Sequence, residues 1–154
     1  MAAKTLSESA RVSQESGAVF FVATNGNDAW SGKLSEPNAE QRNGPFATLA
    51  RARDAVREMR TDSGLTEPAT VMVRGGKYYL DEPLGLGAED SGTRGCPVTY
   101  TAYPEEEPIL SGGRRVTGWE PYQGDILQCP LPGTKGGKWK FRQLFFNGRR
   151  QIRA

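Results

Sequence analysis

The stretch Ala69-Thr70-Val71-Met72-Val73-Arg74-Gly75-Gly76-Lys77-Tyr78-Tyr79-Leu80 reads as two short strands bent at a glycine pair. Apolar and polar side chains alternate with period two through Thr70 to Arg74, which places one set on each face of a sheet. Tyr78 to Leu80 and Leu84 to Leu86 continue the pattern on either side of Asp81-Glu82-Pro83. Working outward, Ala18-Val19-Phe20-Phe21-Val22-Ala23 is a compact run of high β propensity upstream. Val98 to Tyr103, Ile109 to Ser111, Arg115 to Thr117 and Arg142 to Phe146 extend the series downstream. Successive hairpins would place Asn-Gly or Asp-Gly pairs at the joints, and only Asn147-Gly148 carries that signature. The expectation is therefore a coil of short strands joined by bends, with irregular terminal turns of the kind repeat architectures show.

Composition agrees. The 154 residues are 36% hydrophobic, with 19 Gly and 10 Pro, which favours many short strands around a modest core in one domain. A net charge of +2, from 20 basic and 18 acidic residues, disfavours nucleic acid as a partner. No apolar run approaches the length of about 18 residues that reads as a membrane span. The opening Met1 to Arg11 has no apolar segment and carries Glu8, so it is not a signal peptide, and the chain as given stays in the cytoplasm unless a leader was removed or not included. Histidine is absent, which excludes Ser-His-Asp hydrolysis, Cys-His nucleophiles and His-ligated metals, and leaves chemistry to carboxylates, Lys, Arg or Tyr. Cys96 and Cys129 each precede a proline; they could pair in an oxidising compartment, and free structural thiols are the leading expectation.

Residues 1–17 are polar and aperiodic and read as a disordered tail or leader, with order beginning at residue 18. One amphipathic helix is expected over about 48–60. Thr48 is its N-cap, Leu49, Ala52, Val56 and Met59 share one face, Arg51, Asp54, Arg57 and Glu58 face away, and Gly64 terminates it. A single such helix among strands has to cover the open end or side of a stack. The final stretch reads as a strand, the Asn147-Gly148 turn and a second strand with no cap, so the chain is expected to be the front part of a longer protein.

Phe21 to Gly32, Gly44-Pro45-Phe46-Ala47-Thr48 through Val56, and Val71 to Leu80, followed by Pro97 to Pro104, Pro108 to Gly113 and Gln143 to Arg150, resemble a known family. The resemblance is to the N-terminal region of right-handed parallel β-helix proteins of the pectin lyase-like superfamily, most closely to large bacterial glycoside hydrolases. It covers about residues 19–154. It implies a mainly β fold made of the N-terminal cap and first rungs of a right-handed parallel β-helix, with the helix capping that end. It further implies that residues 18–154 are the front of a longer β-helix, that the whole protein is secreted or periplasmic, and that it hydrolyses glycosidic bonds in a polysaccharide. The motifs belong to an entry region shared by many activities, so they name no catalytic residue.

Glycoside hydrolysis requires two carboxyl groups about 5–10 Å apart across the scissile bond. Glu89-Asp90 and Glu105-Glu106-Glu107 are the densest acidic runs, and both fall in turns where solvated charge is the ordinary reading. Asn25, Asn27, Asp28 and Trp30 form the most site-like loop: Trp30 can stack on a sugar, the polar groups can bind hydroxyls, and their oxygens can hold Ca²⁺, although the spacing does not match an EF-hand. The alternative is an Asx-rich turn with Trp30 packed over the helix. No other cofactor is expected. Lys138, Lys140, Arg142, Arg149, Arg150 and Arg153 alternate with Trp139, Phe141, Phe145 and Phe146, which would set basic groups on one face and aromatics on the other.

The leading expectation is thus an inactive front portion of a polysaccharide hydrolase. A non-catalytic carbohydrate-binding or structural module and a polysaccharide lyase portion are the alternatives, with self-association expected through an exposed C-terminal rung.

Overall fold

The computed structural model describes residues 17–134, 136, 137 and 140–152. Residues 1–16 of the expected tail, together with Lys138, Trp139 and Arg153, lie outside the described residues. The chain divides into two compact units between Gly113 and Arg114, a boundary that composition does not mark.

The first unit contains β1 (Ala18–Val22), α1 (Leu49–Glu58), β2 (Ala69–Val73), β3 (Gly76–Tyr79), β4 (Val98–Ala102) and β5 (Pro108–Ser111). One sheet has the order β1-β2-β4 and a second pairs β3 with β5, and every pairing in both is parallel. Chain neighbours β2 and β3 therefore lie strand for strand beside chain neighbours β4 and β5.

The register builds rows of like side chains. Ala18, Ala69 and Val98 share one row, Phe20, Val71 and Tyr100 the next, and Val22, Val73 and Ala102 a third. Because alternate residues face the same way, these rows present one apolar face. Phe20, Val22, Ala69, Val71 and Val73 are buried there with Phe46, Leu65, Tyr78 and the α1 residues Leu49, Ala52, Ala55 and Val56. Each large aliphatic or aromatic side chain so buried contributes about 1.5–3 kcal/mol. Among the described residues every buried one lies between Phe20 and Tyr78, so the core is concentrated at the β1 end.

That end is closed by backbone as well. The Phe21 amide donates to the Gly32 carbonyl (2.7 Å), the Phe46 amide to Phe21 (2.8 Å) and the Ala23 amide to Phe46 (2.9 Å), which occupies the outer edge of β1. Gly32 has φ +69°, and a Cβ there would fall 2.2 Å from the Phe46 ring, so the covering loop needs glycine at this point. At the opposite edge, the Tyr103 amide donates to Val73 and the Ala69 amide to Pro97. Alternation then turns the amides and carbonyls of Val98, Tyr100 and Ala102 outward, and among the described residues no strand pairs with that edge.

Helix α1 agrees with the expected helix, two residues shorter at its C-terminal end. Thr48 caps it by accepting from the Arg51 amide, and Gly64 (φ +100°) belongs to a separate turn in which Thr61 and Gly64 bridge each other. Its polar face is not simply solvated. Arg53 Nη1 donates to the Gly85 carbonyl (2.9 Å), Arg57 binds Asp90 twice (2.7 Å each) and Arg60 Nη1 donates to the Ser91 carbonyl (3.1 Å). These arginines, three and four residues apart, strap the 85–91 segment along the helix. Consequently Leu84 to Leu86, expected as a strand, is not one, because its Gly85 carbonyl is taken by Arg53. Arg115 to Thr117 is not a strand either: the Val116 carbonyl accepts from Trp119 Nε1 (3.3 Å) and the Thr117 carbonyl from Cys129 Sγ (3.0 Å).

Among its described residues the second unit holds two antiparallel hairpins, β6 (Glu120–Gln123) with β7 (Ile126–Gln128), and β8 (Phe145–Phe146) with β9 (Arg149–Arg150). Asn147 (φ 47°) and Gly148 (φ 74°) form the turn that their pairing in the sequence predicts. The expected separation of basic and aromatic faces does not occur here. Phe145 lies opposite Arg150 and Phe146 opposite Arg149, so each face of the hairpin carries one of each. Phe145 and Phe146 are exposed, and no described residue of this unit is buried. Cys96 and Cys129 are free thiols.

Candidate functional site

The loop after β1 carries the residues that the sequence marks for carbohydrate, and the structure divides them between two tasks. Asp28 supports the helix start: Oδ1 accepts from the Ala47 (2.8 Å) and Thr48 (2.9 Å) amides and Oδ2 from the Thr48 hydroxyl (2.8 Å). Asn27 closes an Asx turn by accepting from the Ala29 amide (2.9 Å). Trp30 is half-buried and packs against Gly44, on the loop's own return, where a Cβ would fall 2.7 Å from the indole. The oxygens proposed for Ca²⁺ thus face N–H and O–H donors. Among the described residues no group of three or more Cys, Asp or Glu side chains converges on one point.

Asn25 is exposed and faces elsewhere, onto an open depression of about 440 Å³ shared with Glu36, Arg74, Gly75 and Glu106. Arg74 organises it. Its Nε and Nη2 donate to Glu106 (2.7–3.0 Å), while Nη1 donates to the Ser35 carbonyl (2.7 Å) and to Glu36. The guanidinium also lies 4.6 Å from the centroid of the Tyr103 ring. Glu106 additionally accepts from the Gly75 amide at 2.6 Å. Four of the five guanidinium N–H groups are committed, so this centre is an internal clamp with little capacity for an anionic ligand. The Arg74 hydrogen bonds, then that from Gly75, hold the Glu106 carboxyl below its ordinary range, and the Arg74 pKa is raised chiefly by the Glu106 bond. Sequence reasoning did not single out Arg74. The available signal was its separation from Glu106, which equals that between the paired residues Gly76 and Pro108.

The other dense acidic run is also committed to the fold. Asp90 binds Arg57, accepts from the Gly87 amide (2.7 Å), and is held down to about 2 by the Arg57 hydrogen bond first and the Gly87 bond as well. Glu89 pairs with the same arginine at 2.9 Å.

A second opening, of about 420 Å³, runs between the first turn of α1 and the segment from Lys77 to Leu84. Tyr78 turns inward, its hydroxyl donating to the Arg74 carbonyl (2.7 Å) and its pKa raised by burial. Its neighbours Lys77 and Tyr79 turn outward, with Lys77 Nζ 5.9 Å from the centroid of the Tyr79 ring. Asp81, Glu82 and Leu84 continue the wall.

No family model and no curated protein matches the chain. A solved structure named "Glycoside hydrolase" does, with a TM-score of 0.72 and 34% identity over 90% of this chain. The chain spans 22% of the length of that structure. Over nearly all of its length, the chain is glycoside hydrolase-like.

Proposed function

We propose that the chain is the entry cap and first rungs of a right-handed parallel β-helix, in a protein that hydrolyses glycosidic bonds of a polysaccharide. The observation that carries this reading is the 34% identity to a glycoside hydrolase over 90% of the chain. The architecture is consistent with it: two strand pairs stack in parallel, the helix and the Gly32–Phe46 loop close one end, and the other edge is open for further strands. Parallel crossovers are right-handed in nearly all proteins, which gives the hand of the coil.

In this reading the present residues supply the closed end rather than the reaction. The carboxylates most suggestive in the sequence, Asp28, Asp90 and Glu106, each hold a helix start or an arginine. A hydrolytic pair would then come from outside these rungs, and the chain alone turns over no polysaccharide.

The test compares this chain with a longer protein that contains it, on a panel of polysaccharides. New reducing ends from the longer protein only are expected. Turnover by the short chain would overturn the division of labour, and products with an unsaturated end would replace hydrolysis by lyase chemistry. An inactive longer protein that still binds polysaccharide would favour a non-catalytic module.

A further inference from the structure

The carbohydrate reading leaves open where these residues themselves would meet a sugar, and the loop containing Asp28 and Trp30 is spent on folding. The opening beside β3 is different in kind. Its volume of about 420 Å³ falls in the range of small-ligand sites, about 300–1,000 Å³. One wall is α1. The other is held to that helix further along by the Arg53, Arg57 and Arg60 bonds to Gly85, Asp90 and Ser91, so the gap between the walls is preset.

The chemistry of the lining is that of sugar recognition. Tyr79 is 43% exposed and directed away from the core, which offers a flat ring to the C–H face of a pyranose. Among the described residues Asp81 and Glu82 have no side-chain hydrogen-bond or ion-pair partner, so their oxygens are available to hydroxyl groups. Lys77, on the same face as Tyr79, brings an ammonium donor. Arg53 is itself paired with Asp54 at 2.8 Å, so the charges left to the opening are those of Lys77, Asp81 and Glu82, with no cationic surplus. A polyuronate would meet two carboxylates against a single ammonium and be repelled, whereas an uncharged sugar can use both the carboxylate acceptors and the ammonium donor.

We propose that the cleft between α1 and the Lys77–Leu84 segment binds a neutral saccharide unit, with Tyr79 as the stacking platform, Asp81 and Glu82 accepting from its hydroxyls, and Lys77 donating. The proposal rests on the carbohydrate reading above and adds a place and a ligand class to it. The site would hold a polysaccharide chain near the closed end of the coil, away from wherever the bond is cut.

Affinity electrophoresis of this chain through gels containing xylan, β-glucan, galactan or polygalacturonate tests it. Retardation by at least one neutral polysaccharide is expected. Tyr79→Ala should weaken it by about tenfold or more, Tyr79→Phe should retain it, and Asp81→Asn with Glu82→Gln should weaken it further. Circular dichroism of each variant checks that the fold persists. Retardation unaffected by Tyr79→Ala would overturn the cleft while leaving the carbohydrate reading intact. Retardation by polygalacturonate alone would overturn the neutral class. Absence of retardation in every gel would overturn the site, and the hydrolysis assay on the longer protein would decide the broader reading separately.

Discussion

Arg74 and Glu106 face each other across the parallel-paired β2–β3 and β4–β5 segments, with Arg74 Nη2 2.7 Å from Glu106 Oε1 and Nε 2.8 Å from Oε2. The contact joins the bend after β2 to the bend after β4, so it fixes the corner of one strand pair over the corner of the other. Replacing Glu106 by Ala leaves the guanidinium and the Gly75 amide short of acceptors, and a loss of about 1–3 kcal/mol is expected. Urea unfolding should show a lower midpoint with an unchanged slope, and Arg74→Met combined with Glu106→Met should recover part of the loss.

Asp90 provides a pH dependence with a definite sign. Its carboxyl ionises at about 2, below the ordinary 3.8, chiefly through the Arg57 hydrogen bond. A depressed folded-state pKa contributes stability that is complete above the ordinary value and is lost as pH falls toward the folded one. Wild-type stability should therefore decline between about pH 4 and pH 2 more steeply than that of Asp90→Asn. Equal slopes in acid titrations of the two proteins, followed by near-UV circular dichroism, would remove Arg57–Asp90 as the cause.

Asp28 ties the loop after β1 to the first turn of α1 through three hydrogen bonds. Asp28→Ala should cost about 1–2 kcal/mol, and Asp28→Asn less, since one acceptor remains. Amide exchange at Ala47 and Thr48 should accelerate in the Ala variant, while exchange in β2 follows only the global change. Protection at Ala47 that survives the substitution would contradict the assignment.

The outer edge of β4 is expected to recruit a second copy of the chain, because the Val98, Tyr100 and Ala102 amides point outward with no strand paired to them among the described residues, and the neighbouring Ile109 and Leu110 on β5 are about half exposed. Light scattering should show concentration-dependent association. Ala102→Pro removes one outward amide without touching the β2 pairing and should reduce it. A protein that stays monomeric at high concentration would exclude this edge as an interface.

The parts of the fold carried by local pattern were legible in the sequence. Alternation through Thr70 to Arg74 gave β2, the spacing of Leu49, Ala52 and Val56 gave α1 with Thr48 as its cap, and Asn147-Gly148 gave its hairpin. What the pattern could not carry was long-range partnership. Leu84 to Leu86 has strand-like residues, yet Arg53, distant in sequence, claims its backbone. Phe145 and Phe146 are consecutive and so point to opposite faces, and the hairpin register sets an arginine opposite each of them.

The candidate site shows the same division. Asn25, Asn27, Asp28 and Trp30 were grouped because they are close in sequence. Folding separates Asn25 from the others, since Asn27 and Asp28 satisfy backbone donors of their own loop and of the helix start. Tyr79 was visible as a strand residue, and its outward direction followed only once Tyr78 was seen to enter the core.

The confinement of the buried residues, among those described, to Phe20–Tyr78 also orders events in time. A ribosome delivers that span before β4 or β5 exists. The core can consolidate around β1, α1 and β2 while the remainder is still being synthesised. Later strands then arrive at a finished template, and each needs only to align with the row of side chains already in place.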